Sequence, residues 1–481
     1  MMTSGEIAFL PAAELASRIR SGEISPREAV QAAFEQYQAF NPTVNAVVTP
    51  AYEQALAEAD RAEAAVLRGE AAGPLHGLPI GLKDMTETAG LRTTYGSKLY
   101  EHNVPEMDAL LVTRLKQAGG LIIGKTNTPE FAAGSNTHNP VFGQTVNPWN
   151  TALNPGGSSG GSAVALATGM CALAEGSDHG GSLRNPAAYC NVVGFRVSAG
   201  RIPAYPSPWV YDPFSVHGPM ARTVRDAALM LSVMAGPDDR VPISISEPGE
   251  PLAHAADTPD IRGWRVAWTP DLGGLLKVDP SVRRLVEQAA RQFEALGCVV
   301  EEASPDLHDA LQIIGPLRSM RTGAVHQREL SQLEKVENPF LKQFAARAGQ
   351  LGALDVALAE TRRSALWERV RAFFQTYQLL LSPATQTPAF PKEIDRLSVI
   401  DGHQLSDPLE SSLATYAISV TGLPAMSVPC GFTADDLPVG VQIVGRWRRE
   451  ADVLRAAAAF EDAHPHHLRR PPLVSSEVSG T

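Results

Sequence analysis

From Gly77 onward, apolar runs of strand length alternate with helical segments, which confines the chain to an α/β core with a largely buried sheet. Gly77 to Lys83 reads as a short strand ending in a lysine, Leu110 to Ala118 as a helix, and Gly120 to Gly124 as a buried strand. Ser162 to Gly169 is a helix of small residues, followed by a strand at Cys171 to Ala174. Later strands are expected at Trp264 to Trp268, Val299-Val300, Leu379 to Leu381, Ala425 to Pro429 and Val439 to Val444. A chain of 481 residues would make about three average domains of roughly 150 residues. No internal repeat or low-complexity linker divides it, so a single unit over 1–481 is expected.

Two regions are mostly helical. Within residues 1–70, Ser25-Pro26-Arg27-Glu28 combines a capping box with proline at the first helical position. Val30, Phe34 and Tyr37 then recur at i, i+4 and i+7, so one face packs inward. Asn41-Pro42 is expected to end that helix, and Tyr52 to Leu67 forms another. The charged stretch 304–377 is expected to be a helical insertion covering the sheet edge or an active-site mouth.

The net charge of −11, with no Lys/Arg run interleaved with aromatics, argues against nucleic acid as a partner. Arg446, Arg448 and Arg449 read as a solvated helix entry. Cys171, Cys190, Cys298 and Cys430 lack CxxC spacing and lie in apolar contexts, which suits buried thiols in a reducing cytoplasm. No leader-like segment is evident, and no apolar run reaches the ~18 residues that span a bilayer. A soluble, cytoplasmic protein with no membrane partner is expected. His464-Pro465-His466-His467 has no acidic or cysteine partners nearby and reads as a solvated polar tail. No metal and no cofactor are expected.

The chemistry concentrates in Gly156-Gly157-Ser158-Ser159-Gly160-Gly161-Ser162 and in Asp178-His179-Gly180-Gly181-Ser182-Leu183-Arg184. A flexible linker would not run at once into a helix and a buried strand. A phosphate loop would need Gly-Lys-Ser/Thr, and no lysine follows these glycines. Ser158 and Ser159 each satisfy G-x-S-x-G, but the nucleophile elbow needs a strand immediately before it, where residues 147–155 read as a loop.

Seven stretches in order resemble the amidase-signature family: Gly77–Asp84 (GLPIGLKD), Gly124–Phe131 (GKTNTPEF), Gly156–Ala163 (GGSSGGSA), Asp178–Pro186 (DHGGSLRNP), Gly218–Thr223 (GPMART), Leu423–Gly431 (LPAMSVPCG) and Leu437–Gly445 (LPVGVQIVG). The resemblance runs from about residue 8 to residue 470. It implies an α/β amidase-signature fold, a central mixed β-sheet flanked by helices on both faces. It also implies a Ser-cisSer-Lys triad, carried here by Ser182, Ser158 and Lys83, with a cis bond before Ser158. The residue chemistry is consistent with these roles. A serine hydroxyl needs a base, and lysine can serve only when neutral, which burial favours. A plain ion pair of Lys83 with Asp84 is the competing reading. His179, Gly180, Gly181 and Ser182 can turn successive backbone N–H groups toward one oxygen, an oxyanion hole. Asp178 and Arg184 are expected to support that turn by pairing with each other or with backbone. His179 is too close in sequence to fold back onto Ser182 as a catalytic base, so its ring should line the pocket or pack.

The implied reaction is acyl transfer to water through an acyl-enzyme. By alignment with the family motif, Ala132, Ala133, Gly134 and Ser135 should wall the scissile bond, with carbonyls facing the amide N–H. Trp209, Tyr211 and Phe214 either line an apolar pocket or pack in the core. The expected partner is a small or aryl amide, with esters and carbamates (a urethanase) open, and a homodimer is compatible with this reading. The glutaminase subunit of a tRNA-dependent amidotransferase is the alternative, although residues 310–378 lack the Tyr-rich, Arg-containing segment typical of such glutaminases. Nor would a non-catalytic binding protein have any use for the triad and glycine array together.

Overall fold

Eleven strands form one mixed sheet among the residues that the computed structural model describes, namely 2–68, 70 and 73–475. Met1, Gly69, residues 71–72 and residues 476–481, all within the expected 1–481 unit, lie outside them. In chain order the strands are β1 (Val47–Pro50), β2 (Pro79–Lys83), β3 (Leu121–Thr126), β4 (Leu173–Asp178), β5 (Val193–Arg196), β6 (Val216–Ala221), β7 (Arg265–Trp268), β8 (Val299–Glu302), β9 (Leu379–Pro383), β10 (Ala425–Phe432) and β11 (Pro438–Gly445). Their spatial order is β1-β3-β2-β4-β6-β5-β10-β11-β9-β7-β8. β2 runs parallel to β3 and β4, and β7 runs parallel to β8 and β9. The other neighbouring pairs are antiparallel.

Helices cover both faces, which is why the central strands are buried along their length. Successive residues Leu173 and Ala174 of β4 belong to two different hydrophobic clusters, as the strand period of two requires. The helix Gly160–Ala167 is buried at every position and packs against β2, β3, β4 and β6. Small residues are required there. A Cβ on Gly161 would stand 2.2 Å from the Asn127 nitrogen.

Ser25 caps the helix Pro26–Val44 through the expected box, its hydroxyl accepting from Glu28 N–H and its own N–H donating to Glu28 Oε2. That helix does not stop at Asn41-Pro42. Pro42 sits in its last turn, where the missing N–H costs one bond only, and the chain leaves through Asn45 at φ 51°. Asn41 instead ties down the exit, its Oδ1 accepting from Ala46 and Val47 N–H at 2.8 and 2.9 Å. This exit feeds β1, so the N-terminal region contributes an edge strand as well as helices.

Residues 304–377 contain the helices Ala310–Val325, Gln327–Leu330, Pro339–Ala348 and Ala353–Thr376. The tail differs from the solvated one expected. The backbone carbonyl of His466 accepts from Asn191 Nδ2 at 3.0 Å, and His467 lines a groove with Arg222 and Trp149. Among the described residues no helix is long and apolar enough to cross a membrane, and no group of three His, Cys, Asp or Glu side chains is placed to hold a metal ion. All four cysteines are buried free thiols.

Candidate active site

Lys83 ends β2, fully buried, beside the parallel strand β4. Its Nζ donates to three hydroxyls: Ser158 Oγ at 2.7 Å, Ser177 Oγ at 3.0 Å and Ser159 Oγ at 3.1 Å. No ion pair joins it to Asp84, which accepts from the Thr94 N–H and hydroxyl instead. Burial pulls Lys83 down from 10.5 to about 7, against the carboxylates of Glu175 and Asp178, which favour the ammonium form. Glu175 is the residue that sequence reading missed. One oxygen accepts from the Lys83 N–H at 3.1 Å and the Thr86 hydroxyl at 2.9 Å, and the other lies 2.8 Å from His217 Nδ1. The strand expected to stop at Ala174 runs on to Asp178, and the carboxylate directly after the apolar run was the one signal of it.

Ser158 lies in the loop that enters the helix Gly160–Ala167, and the Gly157–Ser158 peptide bond is cis. The next residue joins the two serine segments, because Ser159 N–H donates to the Ser182 carbonyl at 3.1 Å. Ser158, Ser177, His179 and Ser182 open into one cleft of about 930 Å³, including its mouth.

The turn before Ser182 is held by a buried charge cluster. Asp178 accepts from Arg184 Nη2 at 3.0 Å and Nε at 3.1 Å, and from Arg196 Nη1 at 3.2 Å. Burial alone would raise its pKa, but the two guanidiniums outweigh that and hold the carboxyl well below the usual carboxylate range. Arg184 also reaches Gln442 Oε1, the Ser419 hydroxyl and the Thr415 carbonyl. Gly181 N–H, expected in the oxyanion array, donates to Asp178 Oδ1 at 2.8 Å. Gly181 has φ 120°, which a side chain would strain. Gly180 is fixed by contact, since a Cβ there would stand 1.9 Å from Tyr416 Cε1.

The His179 ring is placed by Ser215 and Phe214. Its Nδ1 lies 3.0 Å from Ser215 Oγ, its ring packs on Phe214, and its Nε2 is buried without a partner. Burial and then Arg321 and Arg318 keep it neutral, well below its ordinary value.

Of the expected wall, Ala132 and Ala133 line the cleft. Phe131 and Ala132 stand at φ 52° and 54°, left-handed conformations that cost about 1–3 kcal/mol each and gather at functional sites. The Ala133 carbonyl does not face the cleft free-handed, because it accepts from Asn338 Nδ2 at 2.6 Å. Ser135 borders a neighbouring pocket and approaches Ser412 Oγ at 3.3 Å, with Gly134 between the two walls. Trp209 lines an adjoining pocket beside Ser215 and His217. Tyr211 is 62% exposed and lines neither pocket, while Asp212 beside it accepts from Phe214 and Ser215 N–H. Phe214 is core beneath His179. From residues 304–377, Arg318, Arg321, Thr322 and His326 complete the mouth.

A family profile described as Amidase matches residues 28–454. An acylamidase of Rhodococcus erythropolis is 39% identical, over 98% of this chain and 98% of its own length. A glutamyl-tRNA(Gln) amidotransferase component from Synechococcus sp. (strain CC9605) is 35% identical, over 94% and 96%. Among solved structures, a bacterial aryl acylamidase of the amidase-signature enzymes superposes with a TM-score of 0.88 at 30% identity, covering 96% of this chain and 98% of that one.

Proposed function

The chain belongs to the amidase-signature family and is an amidase; from that premise we propose that it hydrolyses small or aryl amides through an acyl-enzyme on Ser182. Ser158 relays protons and Lys83 is the terminal base. The observation that carries this reading is the buried Lys83 ammonium site, 2.7 Å from Ser158 Oγ and drawn to about 7. A base near neutrality is half free to accept a proton at working pH.

In the forward step Ser182 Oγ attacks the carbonyl carbon and passes its proton to Ser158, which gives its own to Lys83. Charge on the carbonyl oxygen is met by backbone N–H groups of the His179 to Ser182 turn other than that of Gly181. As the C–N bond breaks, Ser158 protonates the leaving amine and is refilled from Lys83. Water then repeats the sequence against the acyl-serine and frees Ser182. Glu175 and Asp178 stabilise the transient ammonium electrostatically. Ser177 and Ser159 keep its remaining N–H bonds satisfied, so protonation requires no rearrangement.

Carbamates present the same carbonyl to the same nucleophile and belong in the substrate range. The second reading, the glutaminase of an amidotransferase assembly, is favoured by the 35% identity to an amidotransferase component. The higher identity to an acylamidase favours the stand-alone amidase. A panel of anilides, aliphatic amides, carbamates and glutamine, read by product release, separates them. Ser182→Ala should abolish all turnover with the circular-dichroism spectrum retained. Undiminished turnover by that variant overturns the mechanism.

A further inference from the structure

The mouth of the cleft carries a cation without a counter-ion. Helix Ala310–Val325 sends both Arg318 and Arg321 to it. Arg321 is neutralised by Asp212, whose second oxygen is occupied by backbone N–H groups. Arg318 has no hydrogen bond to, and no ion pair with, any described residue. Its guanidinium lies over two ring faces instead, 4.4 Å from the Phe344 centroid and 5.3 Å from that of Tyr416.

The nearby carboxylates are committed elsewhere. Asp178 holds Arg184 and Arg196, and Glu329 is engaged by the Tyr100 hydroxyl. Burial, with Arg396 and Arg321 nearby, draws Arg318 down to about 9. The Arg318 side chain is half-buried and its guanidinium opens into the cleft, where two aromatic faces compensate its charge only in part.

The placement of Arg318 gives its unpaired charge a meaning. Tyr416, one of its two ring supports, is the side chain against which Gly180 closes. A single aromatic ring therefore separates Arg318 from the turn that bears Ser182. The two rings also fix the guanidinium plane, so little side-chain freedom is left to lose on binding a planar anion.

We propose that the cleft selects amides bearing a carboxylate, and that Arg318 binds that carboxylate while Ser182 attacks the amide. The inference rests on the reading of Ser182 as nucleophile and names the substrate class of that same site. A carboxylate would accept two parallel N–H bonds from the guanidinium fork. Arg321, whose charge Asp212 already neutralises, would add less to that preference.

The test uses the full chain and two matched pairs of anilides. Butyranilide against N-phenylsuccinamate places the carboxylate on the acyl side, and acetanilide against 4-acetamidobenzoate places it on the amine side. In at least one pair the charged member should have the higher kcat/KM by about tenfold to a hundredfold, mostly through KM. Arg318→Met should erase that ratio, and Arg318→Lys should keep part of it. Equal values within both wild-type pairs overturn the proposal. So does a preference that survives Arg318→Met, or an equal loss on both members, which would place Arg318 at the shared reaction centre. Calorimetric binding of N-phenylsuccinamate and butyranilide to Ser182→Ala reads the same preference without turnover. Failure of the nucleophile reading appears separately, as hydrolysis by Ser182→Ala.

Discussion

Replacing Lys83 with methionine should abolish hydrolysis and, below neutral pH, make the chain harder to unfold. Lys83 is drawn from 10.5 in an open chain to about 7 in the fold, a difference of about 5 kcal/mol. Below pH 7 both states carry the proton, and the folded state bears that whole cost. Between about 7 and 10.5 only the unfolded chain holds the proton, so wild-type stability climbs as pH rises through this window. From pH 6 to pH 9 the gain is about 3 kcal/mol. Methionine has no such term, and the pH-dependent part of the bonds it loses to Ser158, Ser159 and Ser177 is already contained in the shift of the Lys83 pKa. The stability of the variant relative to wild type should therefore fall by about 3 kcal/mol between pH 6 and pH 9. Urea or guanidinium midpoints for both proteins at pH 6, 7.5 and 9 measure it. Parallel pH dependences would show that Lys83 keeps an ordinary lysine pKa, and the neutral-base mechanism would lose its foundation.

The same titration governs rate: kcat/KM for a neutral anilide should fall about tenfold per pH unit below about 7, the proton on Lys83 blocking the relay. A flat profile from pH 5 to 8 would be inconsistent with a lysine base. Asp178→Asn leaves two buried guanidiniums without their carboxylate and should cost about 3–5 kcal/mol of stability, read by denaturant unfolding; a loss under about 1 kcal/mol would mean the cluster does not hold the turn. Gly180→Ala drives a methyl into Tyr416, and the displaced N–H groups should lower kcat by about a hundredfold or more, measured on an activated ester as well as an anilide. Activity should survive dialysis against EDTA, since no described cluster of ligating side chains is set to hold a metal.

What the sequence made legible was whatever repeats a local rule. The Ser25 box, the helix Tyr52–Leu67 and the apolar strands β2, β3, β9 and β11 all follow propensity and period, and all are present. The strands that escaped are those with polar cargo or little length. β5 carries the buried Arg196, β6 contains His217, Gly218 and Pro219, and β1 is a four-residue edge. Their pairing is decided by neighbours distant in the chain, which no local window contains. The polar end of β4 was lost for the same reason, and with it Glu175, whose role exists only once Lys83, Thr86 and His217 surround it. Lys83, Ser158 and Ser182 could be singled out as candidates because they sit in ordered motifs. Arg318 could not, because its significance is the absence of a partner, which only packing reveals.

Arg184 carries a consequence for how this protein is made. It anchors the Ser182 turn to Gln442, 258 residues further along the chain. At about 5–20 residues per second, a ribosome needs roughly 13–50 s to span that interval. Throughout it Lys83, Ser158 and Ser182 have been synthesised, while the strand that steadies the Ser182 turn has not. The growing polypeptide therefore carries Ser182 in a turn that still lacks one of its anchors. That turn acquires its full set of anchors only after translation of the final sheet strand, so its geometry is a property of the finished chain and not of its N-terminal part.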